Sequence, residues 1–377
     1  MDKIFNYSEI AHDIHFVGRE SEIKKLSSDF IFLTNTAVLA PQGWGKSSLA
    51  RQAAKVAAQK EKSLRFAYVS LSNVRNEERF YELLVEGVLK AVSASRKEVL
   101  DNVGKYFSDI CPKISFGSDD VESLNVDFDW DEVRRNQNDL LDLPCTIAKD
   151  KGIKLVVCID DFQMITLFSD PDALLDLFKA RWSRHTGVAY CICGSALSLV
   201  EKFVKSTPLF YRYGDVLRLG KIPVSQMAAY VRERFADSAK YLDIETATLI
   251  VELVENHPLY VQQLAHQSWL AASVVCSHDV IRNAYETMVS QMGLVFENLT
   301  YSLTTQQLCY LHAVLAGETV ISTSEVLFRH HISSATSASR SKTALLERGI
   351  ISSVDGKICF SDPIYACWLK SRYFVKK

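Results

Sequence analysis

At 377 residues the chain exceeds one ordinary domain, and its 48% hydrophobic and 23% charged content is that of a globular protein, so two or three domains, each with its own core, are expected. A formal charge of -2 argues against a protein that coats nucleic acid through bulk charge, while a local basic surface stays open. The start, MDKIFNYSEIAHDIHF, lacks the apolar stretch of a secretion signal, and no run approaches the roughly 20 apolar residues of a membrane span. The nine cysteines contain no C-x-x-C pair and no cluster at zinc spacing, so they read as buried thiols of a reducing cytoplasm.

In chain order, residues 16–26 (FVGRESEIKKL) place a turn ahead of a short amphipathic helix. Gly18 permits close backbone approach and Arg19 supplies a fixed charge, which suits a flap over a nucleotide base; a plain helix start with Glu20 near its dipole is the structural alternative. Residues 36–49 (TAVLAPQGWGKSSL) then run an apolar strand into a glycine-containing turn that opens a helix. This is the pattern of a phosphate loop, Pro41–Ser48, in which the backbone N–H groups of Gln42–Ser48 and the helix start face an anion, Lys46 reaches the phosphates and Ser47 ligates Mg²⁺. Ala40 stands where the full pattern has glycine.

Leu64–Leu71 reads as a second strand and Glu77–Val92 as a helix. From 101 to 150 acids outnumber bases, and the stretch from Asp119 to Glu132 carries no Lys or Arg. No glycine follows Asp131, so the calcium-loop spacing fails and a solvated insertion is expected. Within it Val126, Phe128 and Trp130 alternate with acids, as in an edge strand or a partner-docking segment.

Lys154–Gln163 (KLVVCIDDFQ) is a buried-strand run ending in two carboxylates. Such a strand delivers its C-terminal acids to the phosphate crevice, Asp160 to hold Mg²⁺ and Asp161 to orient the attacking water. The strand Val188–Cys193 should point Cys191 and Cys193 to one face and bring Ser195 beside the γ-phosphate as a polar sensor. Arg212, before a short strand at 216–219, offers a cation that could act on a neighbouring subunit's nucleotide or serve structurally.

Helical periodicity follows over Val224–Phe235, Ile244–Val254, Pro258–Ala271 and Ser277–Glu297, with Pro258 placed for a helix start and His257 within reach of a nucleotide. Thr304–Leu315, Ser324–His330 and Ser337–Glu347 read as three more helices before a hairpin, Ile350–Phe360, turning at Asp355-Gly356, together a winged helix. Residues 301–377 hold nine Lys/Arg against five Asp/Glu, and Arg340 and Lys342 on the third helix can contact DNA phosphates or base edges.

The ordered set FVGRE, APQGWGKSS, VVCIDDFQ, CICGSA, PLFYR, NHPLY and SDPIYACWL resembles the archaeal-type ATPase family of the AAA+/STAND P-loop group. The resemblance implies an α/β fold: a P-loop core with a parallel 5-1-4-3-2 sheet, an α-helical lid and a C-terminal winged helix, with ATP and Mg²⁺ between core and lid. The expected segments are 1–222, 223–299 and 300–377. By motif Gly43, Gly45, Lys46, Ser47 and Ser48 would bind phosphates and Mg²⁺, Asp160 would be the Walker B aspartate, Ser195 the sensor, Arg212 the arginine of the Pro-Leu-Tyr-x-Arg motif and Pro258 the lid proline.

Three residues depart from the pattern. Asp161 stands for the usual glutamate, pulling a carboxylate back by about 1.5 Å; Ala40 and Asn256 stand for glycines. The expected function is an ATPase switch that passes its conformational difference to a protein partner or within a homo-oligomer. The alternative is a non-hydrolysing regulator that binds DNA through the winged helix. No Asn-Lys-x-Asp run supports a GTPase.

Overall fold

The structure is a computed structural model that describes residues 4–107, 112–118, 120–130, 137–195, 203, 214–354 and 356–376. Five short apolar segments, β1 (Asn35–Leu39), β2 (Leu64–Ser70), β5 (Lys154–Asp160), β6 (Val188–Gly194) and β7 (Gly214–Arg218), form one sheet in the order β2-β5-β6-β1-β7, all neighbours parallel. Counted along the core, that is the expected 5-1-4-3-2 order. The three central strands β5, β6 and β1 are buried on both faces, so they read as continuous apolar runs, while the edge strands β2 and β7 are only partly buried.

The strand pleat sorts side chains into two layers. Ala37, Leu39, Val157, Ile159, Tyr190 and Ile192 pack toward α3 (Glu77–Val92). Val38, Val156, Cys158, Cys191 and Cys193 pack toward α1 (Glu20–Ile31) and the alanine-rich α2 (Lys46–Lys60). Cys191 and Cys193 thus share a face as expected, with Cys158 opposite Cys191 on the next strand. Because every strand is parallel, the ends of β1, β5 and β6 converge on one crevice.

The acidic segment is not simply a solvated insertion. After α4 (Arg96–Tyr106) it forms its own antiparallel pair, β3 (Lys113–Phe116) and β4 (Leu124–Asp127), and the helix α5 (Gln137–Lys151). Strand alternation explains the difference: the acids Asp127 and Asp129 are exposed while Val126 and Phe128 are buried in the core shared with α3. Glu86 of α3, itself buried, accepts from the Val126 N–H at 3.1 Å, and the Trp130 indole N–H donates to Glu82 at 3.2 Å. The pair makes a separate sheet, not an edge of the main one.

Beyond β7 the chain is helical: α6 (Pro171–Trp182) precedes β6, and α7 (Val224–Asp237), α8 (Ile244–Leu253), α9 (Pro258–Ala271) and α10 (His278–Gln291) follow β7. The single helix expected over 277–297 divides at Met292, and a separate α11 (Gly293–Tyr301) begins at Gly293. Then come α12 (Thr305–Leu315), opened by a reciprocal Thr304/Gln307 capping box, α13 (Ser324–Arg329), α14 (Ala335–Glu347), the hairpin β8 (Ile351–Val354) and β9 (Lys357–Phe360), and α15 (Pro363–Trp368). Asp355, in the expected turn, lies outside the described residues. The three helices and hairpin are a winged helix.

One continuous apolar cluster joins α7–α10 to these last elements, through residues such as Val261, Met288, Phe296 and Tyr365. The N-terminal Phe5 is buried in that same cluster, edge-on to Tyr230 at 6.2 Å. Among the described residues no helix is long and apolar enough to cross a membrane.

Candidate nucleotide site

Between the last residue of β1 and the first of α2 the chain must reverse tightly, and Gly43 (φ 75°) and Gly45 (φ 85°) both take the left-handed region that costs a side chain roughly 1–2 kcal/mol. Gly43 is doubly required, since a Cβ there would lie 2.6 Å from the His257 ring. Ala40 has no positive φ, which accounts for alanine in place of glycine.

Lys46, the first residue of α2, is 6% exposed and its ammonium donates to the Ala40 and Pro41 carbonyls, each at 3.0 Å. Burial pushes its pKa down, against the opposing pull of Cys193, Asp160 and Asp161. Ser47 donates to Asp160 Oδ2, which also takes the Tyr68 hydroxyl at 2.6 Å, while Asp160 Oδ1 accepts the Asp161 N–H at 2.9 Å. The two residues assigned to Mg²⁺ from sequence are therefore hydrogen-bonded to one another.

Asp161 follows in a left-handed conformation, φ 54°. Its carboxyl accepts from the Gln163 amide at 3.1 Å, and the same Gln163 side chain accepts from the Ser195 N–H at 3.1 Å, so one glutamine ties the ends of β5 and β6 together. Burial first, and the Asp160 charge second, raise the Asp161 pKa.

Lys46, Ser47, Asp160 and Asp161 form part of one wall of a cavity of about 390 Å³. Gln42–Ser48, Asp160 and Asp161 line it from the core, Pro258 and Gln262 from α9, and residues 6–11 with His15 from the N-terminal segment. That segment is strapped across the two bodies: the Asn6 N–H donates to Gln262 at 3.1 Å and the Ala11 N–H to the Ser48 hydroxyl at 3.0 Å. Tyr230 donates to the same Gln262 oxygen at 3.1 Å and lies 3.4 Å from His15.

Arg19 lines the cavity in a left-handed conformation, but its buried guanidinium is held by Glu22 at 3.0 Å and by the Trp44 carbonyl at 3.4 Å. Gly18 is close against the lid, where an added Cβ would meet Gln226 at 2.6 Å. Pro41 and Ser195 line a second, larger cleft of about 790 Å³ beyond the loop, walled opposite by Arg348, Ser352 and Asp362 of the winged helix. Arg212 lies outside the described residues.

Tyr68, Gln262 and the strap of residues 6–11 carried no motif in the sequence, and Gln163, which closes the VVCIDDFQ run, was given no role there. Pro258 opens α9 as its spacing predicts. Asn256, in the glycine position, is left-handed (φ 55°), a region asparagine tolerates, and its amide donates to the Ile222 carbonyl at 2.6 Å.

His257 is 5% exposed and hydrogen-bonds the Gln42 carbonyl through Nε2 at 3.0 Å, joining lid to loop. Burial pushes its pKa from 6.5 down to about 4. The unfolded chain therefore takes up this proton first, and the stabilising effect of the neutral ring, full above pH 6.5, is lost as pH falls toward 4. Chemical denaturation at pH 7.5 and 4.5 should show His257→Gln losing less stability than wild type over this interval, the difference approaching about 3 kcal/mol. Equal losses would contradict the buried neutral ring.

The donor set fits a nucleoside triphosphate with a hard divalent cation: a backbone cradle, one buried ammonium, and hydroxyl and carboxylate oxygens side by side. Residues 294–371 match the family described as a probable winged helix domain. Among solved structures the chain is similar to the Walker-type ATPase PABY2304 of Pyrococcus abyssi (TM-score 0.70, 16% identity, covering 97% of this chain and 99% of that one). It is also similar to the ORC2 protein of Aeropyrum pernix in its ADPNP-ADP complexes (TM-score 0.59, 14% identity, 98% and 95% covered). A third likeness is to Cdc6p of Pyrobaculum aerophilum (TM-score 0.50, 14% identity, 97% and 95% covered). No curated protein matches by sequence. At the level of fold, the chain shares the architecture of these three structures, a parallel α/β core followed by helices and a C-terminal winged helix.

Proposed function

We propose that the chain is an ATP-driven switch, in which residues 1–222 bind and hydrolyse ATP while the lid (223–299) and winged helix (300–377) respond as one body. The observation that carries this reading is the meeting of Lys46, Ser47, Asp160 and Asp161 on one cavity wall whose opposite wall belongs to the lid and the N-terminal strap. The shared apolar cluster of lid and winged helix supports their joint movement.

In this reading the N–H groups of Gln42–Ser48 hold the phosphates, and Lys46 exchanges its two carbonyl partners for phosphate oxygens. Ser47 and Asp160 would hold Mg²⁺, which neutralises charge on the β- and γ-phosphates when bound. Asp161, kept in place by Gln163, accepts a hydrogen bond from the attacking water. Ser195, tied to that same Gln163, stands toward the second cleft, and Pro258 and the strap enclose the base. Contacts made only with the γ-phosphate bias lid closure, and hydrolysis removes the bias.

Hydrogen exchange tests the switch. ATP with Mg²⁺ should protect α9 and the β8–β9 hairpin relative to ADP, because both flank the loop. Identical exchange in the two nucleotide states would remove the switch and leave at most a binding protein. The buried unpaired thiols Cys158, Cys191 and Cys193 suit a reducing compartment such as the cytoplasm.

One observation favours a second reading, a regulator that binds DNA: Arg340 and Lys342 are exposed on α14 and form no ion pair among the described residues. Duplex binding should then weaken with salt, and replacing both residues with alanine should reduce the salt slope by about 2. Affinity unchanged by salt and by both substitutions would exclude it.

A further inference from the structure

Asp160 is 3% exposed, and so buried a carboxylate is kept in place by its donors. Ser47 and Tyr68 share Oδ2, and the Asp161 N–H takes Oδ1. Ser47 is itself a metal-site residue, so its oxygen is committed when the cation binds. The backbone N–H reaches only the other carboxylate oxygen.

Tyr68 differs from both. It comes from β2, whose Ser70 pairs with Asp160 across the sheet, so the phenol is delivered by a rigid neighbouring strand. Its hydroxyl is a donor at 2.6 Å from Oδ2. The Arg51 guanidinium, from α2, lies 4.1 Å over the ring centroid, close enough for a cation–π contact. One side chain therefore joins the phosphate-loop helix, the second strand and the metal-site carboxylate.

We propose that Tyr68 is a positioning residue for the metal site: it fixes the carboxylate orientation from which Asp160 holds Mg²⁺, and Arg51 keeps the phenol in place. The proposal rests on the nucleotide-switch reading. It separates Mg²⁺ affinity from nucleotide affinity, because Tyr68 does not line the nucleotide cavity.

The test is binding of a fluorescent ATP analogue to the full chain at a series of Mg²⁺ concentrations, and again in excess chelator. Tyr68→Phe removes only the hydroxyl and leaves the ring under Arg51. It should raise the half-saturating Mg²⁺ concentration about tenfold, the low end for a hydrogen bond to a charged group because the Asp161 N–H still holds the other carboxylate oxygen. Its affinity in chelator should stay within twofold of wild type. Arg51→Gln should shift the Mg²⁺ midpoint in the same direction by less.

Direct Mn²⁺ binding followed by electron paramagnetic resonance, with nucleotide bound, should show the same ordering without depending on turnover. Equal Mg²⁺ midpoints for Tyr68→Phe and wild type, or an equal loss of affinity with and without metal, would overturn the role of Tyr68 while leaving the nucleotide site intact. A wild-type chain that binds no nucleotide under either condition would overturn the switch reading and this role together.

Discussion

Lys46→Ala is expected to weaken ATP binding by about 100-fold or more and to abolish turnover. The lysine is the one buried ammonium among the loop residues, and charge-assisted bonds to phosphate contribute about 1.5–3 kcal/mol each. At the upper end of that range the loss is near the stated factor. The fold should survive, because the substitution removes a desolvated cation whose partners are two carbonyls of its own loop. Equilibrium binding of a fluorescent ATP analogue, paired with a melting curve, separates the two effects. Affinity in the variant within about threefold of wild type, well short of the loss expected for one charge-assisted bond, would remove Lys46 from the phosphate site.

Asp161→Asn should lower hydrolysis by about 100-fold while changing ATP affinity by less than twofold, the size expected when a reacting group is lost or displaced by about 1 Å. Asparagine is a sound choice because Asp161 is left-handed, and asparagine accepts that region better than longer side chains do. The same constraint decides the restoring variant, Asp161→Glu: the added reach of about 1.5 Å favours catalysis, while the left-handed backbone costs it roughly 1 kcal/mol. In the wild type burial beside Asp160 raises the Asp161 pKa and so shifts the acid limb of the turnover profile upward from that of a free aspartate, since the protonated carboxyl no longer accepts from water. Single-turnover measurements against pH check both points. Full activity in Asp161→Asn would show that Asp161 has no part in the chemistry.

What could be read from the sequence was whatever a few adjacent residues encode. Gly43, Gly45 and Lys46 are legible because a tight strand-to-helix reversal and an anion cradle impose residue types at fixed spacing, and Asp160 because it ends a buried apolar run. The sheet order followed from resemblance, since pairing between distant strands leaves no mark in local pattern. The alternation in the acidic stretch was legible, but its packing was not, because nothing local says that Val126 and Phe128 are buried against α3. Tyr68, Gln163 and Gln262 were missed for a related reason: each acts through a partner far along the chain, as in the Tyr68–Asp160 bond, and an ordinary tyrosine in an apolar strand gives no sign of it. Likewise the N-terminal strap has no motif, only Phe5 anchored in the lid cluster and backbone N–H groups directed at Gln262 and Ser48.

The most direct test of the nucleotide site is equilibrium binding of ATP and GTP to the purified 377-residue chain in excess Mg²⁺. The account predicts saturable ATP binding at micromolar concentration or tighter, weaker GTP binding, and loss of the ATP signal in Lys46→Ala. Absence of saturable ATP binding at millimolar nucleotide, or binding that Lys46→Ala leaves unchanged, would contradict it.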